Sequence, residues 1–265
     1  MKNNQNTLHQ VSSKTIRTKA EISAKDFRDL KLFLNIIKTD FRDFSLVGGA
    51  FRSFSNDKTC VVETGFGSLS DMNFNILEIK QFTKLISALD KEGSIFVQVD
   101  DTGIIFKDYS GDLKLLNPEY SDNKFVSYKK MKEIVLKNMD PNKLIISEGL
   151  PKVLVRRMKT ASHKLHSDYI SFKPDKNNLT KCFLSISGGA DDSPELQAEL
   201  KKPLIIPLKK NHYFRVAILP TLFNKDDSLL KCYFTNDQKI LSIFSTKVND
   251  LFVNIYSKSE LLKES

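Results

Sequence analysis

Lys80, Lys84, Ser87 and Lys91 stand at steps of four, three and four residues, and Lys152, Arg156, Lys159 and His163 repeat those steps further along the chain. Such spacing puts each series on one face of an α-helix. Arg28, Lys31, Asn35 and Lys38 form a third series of the same kind. A row of ammonium and guanidinium groups on one face does no bond-making chemistry; it attracts a polyanion. Groups that could make or break bonds are scarce by comparison. Gly48-Gly49 and Gly65-Phe66-Gly67 lack the G-K-[ST] of a phosphate loop and the third glycine of a dinucleotide fingerprint, so they read as turns. His163 and His166 are three apart without a cysteine or carboxylate cluster to complete a metal site. Asp100-Asp101 and Asp191-Asp192 flank turns, where aspartate is favoured in any case. No catalytic residue, metal ligand or cofactor is assigned, and the chain is expected not to be an enzyme.

The elements that must carry the cations recur four times. A short apolar strand followed by an amphipathic helix opens each unit, over residues 18–39, 73–91, 143–165 and 203–223. A repeat of roughly 55 to 65 residues is longer than a solenoid repeat and shorter than an ordinary domain, so pairs of units are expected to form domains. The helices span 23–39, 78–91, 147–165 and 209–223, and hold 15 of the 41 Lys and Arg but only 5 of the 32 Asp and Glu. The rest of the chain is close to neutral, so these segments carry the net charge of +9.

Opposite the cations, apolar stripes mark the buried sides: Phe27, Leu30, Leu34 and Ile37; Phe82, Leu85, Ile86 and Leu89; Leu150, Val153, Leu154, Met158 and Ala161. Ser23 with Asp26 has the form of a capping box, and Ser147 is the expected cap of the third helix. In the fourth, Lys209, Lys210, His212 and Arg215 supply the basic face before Pro220 ends the helix.

Between the helices the period changes to two. Ser94 to Leu116 reads as strands joined by turns at Asp101-Thr102-Gly103 and Ser110-Gly111-Asp112, and DYISFKP, KCFLSIS, LLKCYF and DLFVNIYSK continue the pattern. Hairpin-linked strands imply antiparallel sheets, hence an α+β fold. The expected layout is a mobile tail over 1–14, a first domain over 15–118, a connector over 119–142, a second domain over 143–258 and a short tail over 259–265. A loop is expected over 187–203. Cys60, Cys182 and Cys232 lie singly in strand-like runs and read as buried thiols of a reducing compartment. No stretch has the 18 or more apolar residues of a membrane span, and the opening MKNNQNTLHQVSS lacks the apolar core of a signal peptide. A cytoplasmic protein is expected, or a nuclear one if the host is eukaryotic.

FNILEIKQFTKLISALDKEGSIFVQVDDTGIIFKD (74–108) resembles the second unit of T-even-type phage sliding clamps, and LPKVLVRRMKTASHKLHSDYISF (150–172) is similar to the start of their second domain. The resemblance extends as an architecture over about residues 15 to 258. It implies the DNA clamp fold of phage processivity factors and proliferating cell nuclear antigen: two similar domains of two strand-helix-strand units, antiparallel sheets outside and basic helices inside. It also implies a homotrimeric ring around double-stranded DNA, with a DNA polymerase and a clamp loader as partners and no membrane. The residues expected to face DNA are Arg28, Lys31, Lys38, Lys80, Lys84, Lys91, Lys152, Arg156, Arg157, Lys159, Lys164, Lys210 and Arg215. Phe125, Val126 and Tyr128 of the connector are the expected partner-binding residues. The competing expectations are a monomeric or dimeric factor that holds DNA on an open basic face, and a metal-dependent DNA-processing enzyme.

Overall fold

The computed structural model describes residues 16–56, 59–89, 93–100, 103–116, 133, 137, 139–187, 194–215 and 228–260. Four units follow one another. The first runs β1 (Ile16–Ile22), α1 (Ala24–Ile37), β2 (Phe44–Val47), β3 (Ala50–Phe54) and β4 (Cys60–Gly65). The second runs β5 (Asn73–Ile76), α2 (Ile79–Ile86), β6 (Ile95–Asp100), β7 (Gly103–Lys107) and β8 (Asp112–Leu116). The third is β9 (Leu144–Leu150), α3 (Lys152–Lys164), β10 (Tyr169–Pro174), β11 (Cys182–Ser187) and β12 (Glu195–Glu199). The fourth has β13 (His212–Arg215), then β14 (Ser228–Phe234), β15 (Ile240–Val248) and β16 (Leu251–Lys258).

The first strand of every unit joins the sheet of its sister unit. The sheet orders are β1-β6-β7-β8, β12-β11-β10-β13 and β5-β2-β3-β4-β16-β15-β14-β9. Read unit by unit, β1 completes the second unit's sheet, β5 the first's, β9 the fourth's and β13 the third's. The eight-stranded sheet is continuous through both halves because β4 pairs antiparallel with β16, from Thr64 opposite Val253 to Cys60 opposite Ser257. A polar latch lies beside that ladder: Asn249 in the β15–β16 turn donates to Asp29 of α1 at 2.7 Å, and Asp250 pairs with Lys25.

One contiguous apolar core lies between the helices and the sheets. α1 gives it Phe27, Leu30, Phe33, Leu34 and Ile37, each contributing about 1.5 to 3 kcal/mol of transfer free energy on burial. Phe51 of β3 stacks on Phe44 at 4.2 Å between ring centroids and meets Phe33 edge-on at 4.9 Å. The expected cap of α1 is present, with Ser23 Oγ accepting from the Asp26 N–H. Gly48 and Gly49 form the β2–β3 turn at φ of +55° and +75°, and a Cβ on Gly49 would come within 2.7 Å of the Phe66 carbonyl oxygen. Only glycine fits there.

Four expectations are corrected. Ser147 lies within β9 and caps nothing; α3 starts later, behind Pro151, with no side-chain cap. The supposed fourth helix opens instead as β13, whose residues alternate buried and half-buried as they pair with β10; residues 216–223 lie outside the described ones. The expected loop 187–203 contains β12, where Leu196 and Ala198 turn inward between the exposed Glu195, Gln197 and Glu199. Ser259 and Glu260 are tied into the fold rather than forming a tail: Ser259 is buried, and Glu260 exchanges backbone hydrogen bonds with Tyr213. The N-terminal tail and nearly all of the connector lie outside the described residues.

Candidate nucleic-acid interface

The basic helices present their cations at matching positions. Counted from their cap residues, Ser23 and Pro151, the buried Phe27 and Leu30 of α1 correspond to the buried Val155 and Met158 of α3. The exposed Arg28 corresponds to the exposed Arg156, and Lys31 to Lys159. α2 adds Lys80 and Lys84, both exposed, opposite the buried Ile79, Phe82, Thr83 and Ile86. Neither α2 nor α3 has a side-chain cap or an acidic residue in its first turn. Cations there run against the helix dipole, at a cost of about 0.3 to 1 kcal/mol each. A bound anion would reverse that sign.

Ion pairing separates these cations from the others. Lys25 in the first turn of α1 pairs with a carboxylate, and so, on the sheets and turns, do Arg42, Arg52, Lys107, Lys173, Lys181, Arg215, Lys247 and Lys258. Arg28, Lys80, Lys84, Arg156, Arg157 and Lys164 pair with no carboxylate among the described residues. At these six positions the helix faces hold positive charge that no carboxylate among the described residues pairs.

No protein-family model matches the sequence, and no curated protein matches it. Solved structures do match. A proliferating cellular nuclear antigen from Entamoeba histolytica aligns with a TM-score of 0.57 over 93% of this chain and 100% of its own, at 12% identity. A PCNA2–PCNA3 complex from Sulfolobus tokodaii gives 0.56 over 92% and 99%, at 10% identity. The chain has the sliding-clamp fold. The H. pylori β clamp agrees, with a TM-score of 0.61 at 13% identity over 94% of this chain and 67% of that one. The clamp fold described here therefore spans about two thirds of that longer chain's length.

On this fold, Arg28, Lys80, Lys84, Arg156, Arg157 and Lys164 project from helices as exposed side chains, and Lys152 and Lys159 are half-buried. Lys31 departs from expectation: it is only 9% exposed, with its ammonium 5.1 Å from the centroid of the Phe27 ring one turn earlier. Its long apolar stem lies along the core and its ammonium nitrogen is buried with it. Lys38 is half-buried and donates to Asn35 Oδ1 at 2.8 Å. Lys210 is exposed but on no helix. Arg215 sits on β13, its guanidinium 4.3 Å from the Tyr169 ring and near Asp168 and Glu260, both at 3.9 Å. Lys91, Phe125, Val126 and Tyr128 lie outside the described residues.

Two apolar residues assigned inward by helical spacing face out instead: Leu85 of α2 is 41% exposed and Val153 of α3 is 61% exposed. Sequence reasoning missed them because both continue an apolar stripe by one step. Val153 borders a groove of about 470 Å³ between α3 and β12, with Arg157, Ala161, Lys164 and Leu196 along it. Among the described residues, β1, β5, β8, β9, β12 and β13 each have only one neighbouring strand. The second edges of β9 and β13 are occupied otherwise: Ile205 donates its N–H to the Ile145 carbonyl at 2.7 Å, and Glu260 bonds Tyr213. Buried Glu148 holds the segment covering β9 by accepting from the Lys201 N–H at 2.8 Å and the Lys202 N–H at 3.3 Å.

Proposed function

We propose that this protein is a sliding clamp in function as well as fold: a ring of three copies that encircles double-stranded DNA and tethers a replicative DNA polymerase to it, without catalysing a reaction. The observation that carries the reading is the state of the sheet edges. β8 and β12 are the last strands of the second and third units, as β16 and β4 are of the fourth and first. Within the chain, β16 and β4 are already paired. The same pairing between β8 of one copy and β12 of the next repeats the internal joint and closes a head-to-tail ring. It also removes two free edges that would otherwise template aggregation.

The exposed helix cations that pair with no carboxylate among the described residues fit the inner wall of such a ring. Contacts to phosphates carry no sequence information and permit sliding, while closure provides persistence that tight binding would oppose. Arg28, Lys80, Lys84 and Arg156 are the leading duplex contacts on this reading. A clamp loader opens the ring, and the polymerase docks outside it.

Native mass by light scattering tests the proposal across protein and salt concentrations. A mass close to three times 30.2 kDa is expected. A monomer at every concentration, combined with no stimulation of processive synthesis on primed DNA, would refute it.

A further inference from the structure

Tyr109 is 85% exposed, the most exposed of the large apolar side chains among the described residues. It stands at the tip of the β7–β8 turn, and that turn is rigid. Asp108 Oδ1 accepts hydrogen bonds from the Ser110 N–H at 2.8 Å, the Ser110 hydroxyl at 2.7 Å and the Gly111 N–H at 2.9 Å. An aspartate spent on its own turn leaves the neighbouring phenol projecting from a fixed base. A large aromatic ring held out in water with few rotamers to lose has the properties of an interface anchor.

The internal joint indicates where it goes. Beside the β4–β16 ladder, the β15–β16 turn rests on the first two turns of α1, through Asn249 to Asp29 and Asp250 to Lys25. The unit repeat makes β7–β8 the counterpart of β15–β16 and α3 the counterpart of α1. Counted from the caps, Lys25 and Asp29 correspond to Val153 and Arg157. These two line the groove between α3 and β12. Polar latch residues on α1 are thus replaced on α3 by a valine and an arginine, which suit an aromatic ring and not an Asn-Asp turn.

We propose that Tyr109 of one copy seats in the α3–β12 groove of the next, its ring on Val153 and Leu196 and its face toward the Arg157 guanidinium. The inference rests on the ring reading above and assigns the contact that sets the ring's register. It also moves Arg157 from the duplex-facing set to the junction between copies. An arginine over an aromatic face adds cation–π attraction to the apolar burial, and Val153, exposed at 61% in the single chain, becomes covered.

Site-directed cross-linking tests this on the full chain, because the native thiols Cys60, Cys182 and Cys232 are all buried. One variant carries Tyr109→Cys with Val153→Cys; a second carries Lys114→Cys with Gln197→Cys, spanning the strand edges themselves. A short bis-maleimide is expected to link both into covalent dimers and trimers, with single-cysteine controls remaining monomeric on a denaturing gel. Linking of the strand-edge pair without the Tyr109–Val153 pair would overturn the seat and leave the ring standing. Linking of neither would overturn both. Tyr109→Ala is expected to weaken self-association about tenfold or more, the effect of losing an aromatic hot spot, with unchanged thermal unfolding of the single chain and recovery in Tyr109→Phe. Association unaffected by Tyr109→Ala would equally refute the seat.

Discussion

Replacing Lys84 and Arg156 together by alanine isolates the electrostatic contribution of two helices. Both side chains are exposed and pair with no carboxylate among the described residues, so their removal costs the fold no packing and no ion pair. Each phosphate contact contributes about 0.9 to the slope of log K against log salt. Two contacts therefore contribute about 1.8 per chain engaged. Between 50 and 200 mM salt, a fourfold change, the native protein should lose about twelvefold more affinity per engaged chain than the variant. The assay is fluorescence anisotropy of a labelled, open-ended duplex titrated across that range. A control with Lys176→Ala and Lys201→Ala, exposed on segments away from the helices, should keep the native slope. A variant slope equal to the native one, in a protein of unchanged mass and melting temperature, would show that these faces do not meet phosphates.

Phe51→Ala should lower unfolding free energy by about 3 to 5 kcal/mol in urea titration, since it empties the centre of a cluster with Phe33 and Phe44. Burial pushes the Cys182 thiol up to about 12 and raises that of Cys232 as well. Both should resist alkylation in the folded protein at pH 8 and react once it is unfolded in urea. The sign for stability follows: thiols of the unfolded chain ionise above about pH 9 while these remain protonated, so stability should fall as pH rises beyond 9. Burial lowers His212 to about 4, with its Nδ1 3.1 Å from Ser259 Oγ. The unfolded chain then takes up a proton that the folded one refuses, so stability should decline as pH drops from about 6.5 toward 4. His212→Gln should flatten that limb in melts across the range.

Much of this architecture was legible because its signals are periodic. The cation rows at steps of three and four identified the faces of α1, α2 and α3, and the two-residue alternation of DYISFKP and DLFVNIYSK identified β10 and β16. The failures have equally specific causes. Lys209, Lys210, His212 and Arg215 can be read at helical spacing, but His212 and Phe214 alternate inward, and pairing to β10 decided for a strand. β12 was hidden by its glutamates, which are tolerable on an edge whose inward face needs only Leu196 and Ala198. Leu85 and Val153 extend apolar stripes that a single chain does not bury to the end. Periodicity finds the face of a helix, and it cannot say whether the covering surface belongs to the same chain. Lys31 shows the converse, a cation at the right step whose stem is drawn into the core.

The exchange of first strands between sister units has a consequence for synthesis on the ribosome. The first and third units cannot finish their own sheets as they emerge, since β2 must wait for β5 and β10 for β13. The longest wait falls on β4. Cys60 meets Ser257, 197 residues later, which at about 5 to 20 residues per second is roughly 10 to 40 s of elongation. Throughout that interval the nascent chain shows a strand edge bearing Val61 and Val62 to neighbouring polysomes, where other copies display the same edge. Dense expression of this protein should therefore select for anything that shortens the wait or shields β4 until β16 arrives.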